Sequence, residues 1–330
     1  MRIDSSAPTR IDLAGGTYDI WPLYLLHDKA QTINVAIGLR AYCTITTRRD
    51  YEIHLHSDDT GAHVVATDPA ALDVDELPLV ARLVRHFGVR GLDVSTRSDS
   101  PVGAGIAGSS TMAVAVIGAL AAWTGRTLSD DAVFELAMNV EAQVIKVPTG
   151  AQDYRSAYYG GVSAIELGIT GVQRVELSVD ARAIEQRLVL AYTGASRNSG
   201  INNWDVMVRR INGDAGVTAA FEAIRRAAAG VRTALEASDW SGLAAAVNAE
   251  WQARKDLAPG VTTPEIDHLL ERARFAGATA GKVCGAGGGG CLVCLVEPDR
   301  RAAVEASLAA NGATILSCSI EARGLVVDRH

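Results

Sequence analysis

The chain is short of the features that mark several whole classes of protein. Basic residues are in deficit: 31 Lys and Arg stand against 38 Asp and Glu, giving a formal charge of −7 and a pI near 5.5. No basic face is evident, which argues against a general nucleic-acid or membrane-surface role, because phosphate-backbone binding is carried by clustered Lys and Arg. Long apolar runs are missing too. None reaches the ~20 residues needed to span a bilayer, and the start, Met1-Arg2-Ile3-Asp4-Ser5-Ser6, lacks the apolar core of a secretory signal, so a cytoplasmic location is expected. Cysteine is scarce and odd in number, at five. Cys291 and Cys294 stand in a strand-like apolar run with no second pair or histidine set nearby, and strand alternation points them to opposite faces, so they read as core thiols. The seven histidines are scattered; His54 and His56 share a strand face without a third ligand, which reads as a solvated face. There is no internal repeat and no low-complexity linker.

What is present is an ordinary globular composition, 48% hydrophobic and 21% charged over 330 residues, long enough for two domains. Residues 40–48 and 51–57 read as paired strands, and 91–96 as another. A helix is expected from Ser109 to Trp123, stopped by Gly125. A second follows Ser129, whose hydroxyl can cap it, with Asp130 and Asp131 in the first turn and Glu141 further along. Strands near 161–167, 172–179 and 187–192 lead to long helices over 216–237, 241–257 and 264–276, and strands at 291–296 and 314–320 close the chain. This order predicts an α+β fold.

One stretch carries chemistry by itself. Pro101-Val102-Gly103-Ala104-Gly105-Ile106-Ala107-Gly108-Ser109-Ser110 runs straight into an alanine-rich helical segment. Glycine-rich backbone feeding a helix N-terminus can aim successive N–H groups at an anion, and Ser109 and Ser110 add hydroxyls there. A tight strand-to-helix connection would look similar. The lysine of the P-loop pattern is absent, since Ser109 follows Gly108, so phosphate charge must be met by backbone dipoles, a metal ion and basic groups from elsewhere.

Two further stretches accompany it: Ala7-Pro8-Thr9-Arg10-Ile11-Asp12-Leu13-Ala14-Gly15-Gly16-Thr17-Tyr18-Asp19 near the start, and Lys282-Val283-Cys284-Gly285-Ala286-Gly287-Gly288-Gly289-Gly290 near the end. In this order the three resemble motifs 1, 2 and 3 of the GHMP kinase superfamily (galactokinase, homoserine kinase, mevalonate kinase, phosphomevalonate kinase), over essentially the whole chain. The resemblance implies a two-domain fold: a ribosomal-protein-S5-like N-terminal domain over 1–183 and a ferredoxin-like C-terminal domain over 184–330, with the active site between them. It further implies an ATP- and Mg²⁺-dependent kinase acting on a small molecule, as a monomer or homodimer.

Residue by residue, the resemblance assigns the phosphate loop to Gly103, Ala104, Gly105, Ile106, Ala107, Gly108, Ser109 and Ser110, and motif 3 to Gly285, Ala286, Gly287, Gly288 and Gly289. Asp153, in a Pro/Gly-containing loop, looks like the catalytic aspartate; read without the family it would be a loop acid capping the next helix. Phosphoryl transfer needs such a group to orient or deprotonate the acceptor hydroxyl. Glu141 and the Ser109 hydroxyl match the magnesium ligands, a sparse set that suits an ion keeping phosphates and waters, although Glu141 alone could be a solvated helix residue. Arg10 matches the arginine that stabilises Asp153 and transition-state charge.

Gly15, Gly16, Thr17 and Asp19 match the sugar-binding segment, but Gly15-Gly16-Thr17-Tyr18 stands where galactokinases carry G-E-H-T, which puts galactose in doubt. The L-A-G-G-T-x-D form looks more like the heptose kinase branch, which phosphorylates the anomeric hydroxyl of D-glycero-D-manno-heptose 7-phosphate. A phosphorylated substrate needs cations, for which Arg197 leads and Arg155 and Lys29 follow. Other readings are a kinase of a free sugar of the fucose, galactose or uronic acid type, a mevalonate-pathway or homoserine kinase, and a catalytically silent sugar-binding regulator.

Overall fold

The computed structural model describes residues 1–196 and 199–330, with side chains in the last stretch from Asn203 onward. In chain order the elements are β1 (Arg2–Ala14), β2 (Ala30–Thr47), β3 (Ile53–Ser57), β4 (His63–Ala66), α1 (Pro78–Phe87), β5 (Leu92–Ser98), α2 (Gly108–Thr124), α3 (Asp130–Ile145), α4 (Gln152–Tyr159), β6 (Val162–Gly168) and β7 (Gly171–Glu176). There follow α5 (Ala181–Glu185), β8 (Leu188–Tyr192), α6 (Ser199–Ile211), α7 (Ala215–Ala237), α8 (Trp240–Lys255), α9 (Pro264–Ala276), β9 (Ala278–Val283), β10 (Cys291–Val296), α10 (Arg301–Ala310), β11 (Thr314–Leu316) and β12 (Val326–Arg329).

Two sheets result. The eight-stranded one runs β12-β1-β2-β5-β3-β4, with β6 paired to the first half of β2 and β7 to β6; the four-stranded one runs β11-β8-β10-β9. Strands 40–48 and 51–57 exist, but they are not partners: β5 lies between them, antiparallel to β2 and parallel to β3. A parallel neighbour needs a crossover, here supplied by α1, so short-range turn chemistry could not reveal it. The closing strand is shorter than expected, ending at Leu316, and the last strand, β12, returns to the first sheet with Ile3 opposite Arg329.

Helix α2 is the centre of the first half. Val114, Val116, Ile117 and Leu120 and the intervening alanines are buried on every side, because the sheet covers one face and α1 and α3 cover the other. Gly125 ends it in the left-handed conformation, returning its N–H to Ala121 and Ala122 carbonyls, and the Ser129 hydroxyl caps α3 by accepting from Ala132 N–H at 3.3 Å. In the second half β10 is buried along its whole length. Its alternation sends Leu292, Cys294 and Val296 into one core and Cys291, Val293 and Leu295 into another. All five cysteines are buried, and no disulfide joins them. The core holding Cys291 also takes Ile11 and Leu13 of β1, Val35 of β2 and Val231 of α7, so it welds the two sheets together beside the motifs.

Candidate active site

Strand β1 is paired on both edges, and its bulges, between Pro8 and Thr9 and between Asp12 and Ala14, re-aim the chain as it enters motif 1. Ile11 and Leu13 face the welded core, leaving Arg10 and Asp12, both buried, on the opposite side. Arg10 donates from Nε and Nη2 to Asp153 Oδ1 at 2.8 and 2.6 Å and from Nη1 to the Gly105 carbonyl at 3.2 Å. Burial opposes its charge, but Asp153 and Asp12 hold the guanidinium charged above its usual range.

Asp12 anchors a buried cluster of charges. Lys282 Nζ lies 3.0 Å from its Oδ2, Gly285 N–H donates to Oδ1 at 2.7 Å, and Arg10 and Arg254 stand at 3.6 and 3.9 Å. Glu250 pairs with Arg254 and lies 3.1 Å from Lys282. Arg254 also donates to the Gly16 carbonyl at 3.0 Å and the Gly285 carbonyl at 3.2 Å, joining motif 1 to motif 3 from beneath. Three cations, Arg10, Arg254 and Lys282, thus meet three carboxylates, Asp12, Glu250 and Asp153. Burial would raise the Asp12 pKa, but Lys282 first, then Arg10 and Arg254, hold its carboxyl well below the usual range.

The glycine loop sits above this cluster. Gly103, Gly105 and Ala107 have φ of 71°, 78° and 69°, so the chain alternates through the left-handed region before α2 begins at Gly108. No side chain caps α2 and its own first turn carries no acid, so its leading N–H groups stay open to an anion. The loop is held from behind: Ile106 carbonyl accepts from Arg10 N–H at 3.1 Å, and Ala104 carbonyl from Cys291 N–H at 2.7 Å. Motif 3 in turn packs by backbone, since a Cβ on Gly287 would lie 2.4 Å from the Val261 carbonyl oxygen.

Glu141, on α3, is buried rather than solvated. Ser109 donates to its Oε1, while Ser110 and Tyr154 donate to Oε2 at 2.7 and 2.6 Å. Burial pushes its pKa up, against those three hydroxyls. Asp153 lies in the first turn of α4, not in a loop; Pro148, Gly150, Gly160 and Gly161 bracket a helix too short to show periodicity. It does not cap α4. With Oδ1 taken by Arg10, its Oδ2 meets, among the described residues, only the Ser110 hydroxyl, at 3.4 Å. Asp19 supplies the cap instead, its Oδ2 accepting from Gln152 N–H at 2.9 Å. Burial, with Asp153 adding to it, raises the Asp19 pKa to about 6.

These groups line one cavity of about 410 Å³. Arg10, Thr17, Asp19, Glu141, Asp153, Gly103, Ala104, Gly105, Ala107, Gly108, Ser109, Ser110, Gly285 and Ala286 reach its wall. Gly15, Gly16, Ile106, Gly287, Gly288 and Gly289 are not on the wall; Gly16 and Ile106 instead hold Arg254 and Arg10 through their carbonyls. Arg197 lies outside the described residues. Arg155 donates to the Ala151 and Val172 carbonyls and stacks on Phe134, 4.5 Å from the ring centre, and Lys29 is exposed away from the cavity. The buried partners Asp12, Glu250, Arg254 and Lys282, and an apolar far end around Leu77, Leu79 and Met112, were not foreseen; a lone lysine in an apolar strand was the only local signal for any of them.

Comparison with known proteins fits this geometry. Residues 77–161 match the model for the GHMP kinases N terminal domain, and residues 231–314 that for GHMP kinases C terminal. A D-glycero-alpha-D-manno-heptose 7-phosphate kinase of Campylobacter jejuni is 30% identical over 312 residues, covering 91% of each chain. The chain belongs to the GHMP kinase family. A mevalonate kinase of Thermococcus gammatolerans is 28% identical, covering 72% of this chain and 70% of that protein. Among solved structures, a D-glycero-D-manno-heptose 1-phosphate kinase from Bacteroides thetaiotaomicron superposes with a TM-score of 0.80 at 25% identity, over 99% of each chain. The two-domain α+β kinase fold expected from the motifs is therefore the fold observed. Among the described residues no helix is long and apolar enough to cross a membrane.

Proposed function

We propose that this GHMP kinase transfers the γ-phosphoryl group of ATP to the anomeric hydroxyl of D-glycero-D-manno-heptose 7-phosphate, giving the 1,7-bisphosphate. The observation that carries the reading is Asp153: one carboxylate oxygen is clamped by Arg10, the other lies 3.4 Å from the Ser110 hydroxyl of the glycine loop, and the residue lines the cavity it shares with that loop and Asp19. A nucleotide would lay its phosphates over the loop and the start of α2, with its base toward Leu77 and Leu79. Asp153 Oδ2 then accepts the proton of the attacking hydroxyl, and Arg10, bonded to Oδ1, holds that carboxylate in place and meets developing charge. Glu141 and the Ser109 hydroxyl, side by side at the loop, form an all-oxygen donor set that fits magnesium, with Glu141 already buried in hydroxyls. Held by Glu141 and the Ser109 hydroxyl, such an ion would supply positive charge against the nucleotide phosphates.

The heptose reading draws on the Campylobacter and Bacteroides relatives, whose names differ on which phosphate they state. A free sugar is the second reading, favoured by one observation: among the described residues on the cavity wall Arg10 is the lone cation, and Asp153 occupies it. We assign Arg197 to the substrate phosphate. The test is magnesium-dependent ADP release across heptose 7-phosphate, free heptose, mannose, galactose, fucose and mevalonate, with the new phosphate located by phosphorus NMR. Turnover at C1 of the heptose phosphate, with Arg197→Ala raising KM for that substrate alone, is the expected result. Asp153→Ala should lower turnover by about 10²–10⁴ while ATP still binds. Near-normal transfer by that variant would sink the mechanism, and ATP binding without any turnover would favour a silent regulator.

A further inference from the structure

We infer that Gln152 is a specificity residue, its side-chain carbonyl reading one hydroxyl of the sugar next to the carboxylates of Asp19 and Asp153. This rests on the sugar-kinase reading above. Gln152 is 4% exposed and stands on the cavity wall. Its Nε2 donates to Asp19 Oδ1 at 3.4 Å, and its buried Oε1 has no hydrogen-bond partner among the described residues. A buried acceptor left empty costs free energy, so an orphan on a residue that lines a ligand cavity points to a donor that arrives with the ligand. Asp19 fixes which way the amide faces: turning it over would set Oε1 against the carboxylate that now accepts from Nε2.

The result is a row of acceptors. Asp153 Oδ2, Gln152 Oε1 and the lone pairs of Asp19 not used by Gln152 all need O–H donors, and no described cation on the wall competes for them once Arg10 has taken Asp153 Oδ1. Such a row suits adjacent hydroxyls of a polyol better than a single alcohol. A substrate lacking one hydroxyl would leave a buried acceptor empty and be rejected for it.

The experiment is steady-state kinetics with Gln152→Met, which keeps the length of the side chain and the backbone N–H that caps on Asp19. Each enzyme is assayed against the preferred sugar and its series of monodeoxy analogues. Expected is a rise of about tenfold in KM for the sugar, the size of one neutral hydrogen bond, with kcat and the KM for ATP little changed. One deoxy analogue should be penalised in the wild type and no longer penalised in the variant, while the other penalties persist. An unchanged sugar KM, or a full set of unchanged deoxy penalties, would overturn the proposal. If Gln152→Met misfolds, Gln152→Ala, checked by thermal unfolding, serves the same comparison. Should the wild type prefer another sugar, the deoxy series of that sugar is used, so failure of the heptose assignment and failure of the Gln152 role are read separately.

Discussion

Asp12 and Asp19 stand seven residues apart in one motif, both fully buried, and the protein treats them in opposite ways. Asp12 meets Lys282, Arg10, Arg254 and the Gly285 N–H, and is held well below the usual carboxylate range. Asp19 has backbone and amide donors from Gln152 but, among the described residues, no cation in contact, so burial, with Asp153 adding to it, raises its pKa to about 6. Burial is the same; the partners decide. Asp12 is spent on joining motif 1 to motif 3, whereas Asp19 keeps acceptor capacity facing a cavity. Arg10 belongs to both regions, 3.6 Å from Asp12 and 2.6 Å from Asp153.

The sharpest way to break this contrast is Asp12→Asn. It leaves three buried cations facing two carboxylates, and removing one member of a buried charge network costs about 3–5 kcal/mol. The loss should appear as a lowered urea midpoint, and it should be flat with pH between about 7.5 and 5, because Asp12 is ionised in both folded and unfolded states throughout that window. A stable Asp12→Asn protein would mean the cluster is not what ties the motifs together. Arg10→Met should divide the two regions' effects. Asp12 keeps Lys282 and Gly285, so the stability loss should be about 1–3 kcal/mol, while turnover drops about 10²–10³ for want of a donor at the reacting centre. Equal losses in both readouts would show Arg10 acting only as structure.

The comparison also shows what could be read without coordinates. The glycine loop and the helix that carries Glu141 sit in local patterns, a cap at Ser129, a helix stop at Gly125 and glycines feeding a helix, whereas Asp153 is legible only through the family resemblance. The Asp12 side was hidden. Glu250 and Arg254 are four apart on α8 and look like an exposed helical pair until motif 3 returns over them. Lys282 looks like a stray charge until β9 carries it beneath β1. Gly15 and Gly16 match the sugar-binding segment by their place in the motif, whereas past the irregularity before Ala14 it is Thr17, Asp19 and Ile20 that line the cavity. The Gln152 orphan is a property of one amide's orientation, which no residue pattern encodes.

Asp19→Asn tests the other side and has the smallest expected effect. A carboxylate whose folded pKa lies near 6, above its ordinary 3.8, opposes folding when ionised. That cost is complete above pH 6, shrinks as pH falls toward 4, and is absent below the unfolded value. Asparagine removes it, so the variant should be about 1–3 kcal/mol more stable than wild type at pH 7.5 and should lose the advantage steadily on acidification. Asparagine keeps an acceptor for the Gln152 N–H, but its amide nitrogen replaces the oxygen that accepts from Gln152 Nε2, so the Gln152 amide turns over and Oε1 accepts from it instead. That pairing closes the row of acceptors that the sugar would use. Stability rising while the sugar KM rises with it would mark Asp19 as a group held at a cost for its ligand; a variant less stable than wild type at pH 7.5 would show that Asp19, like Asp12, serves the fold.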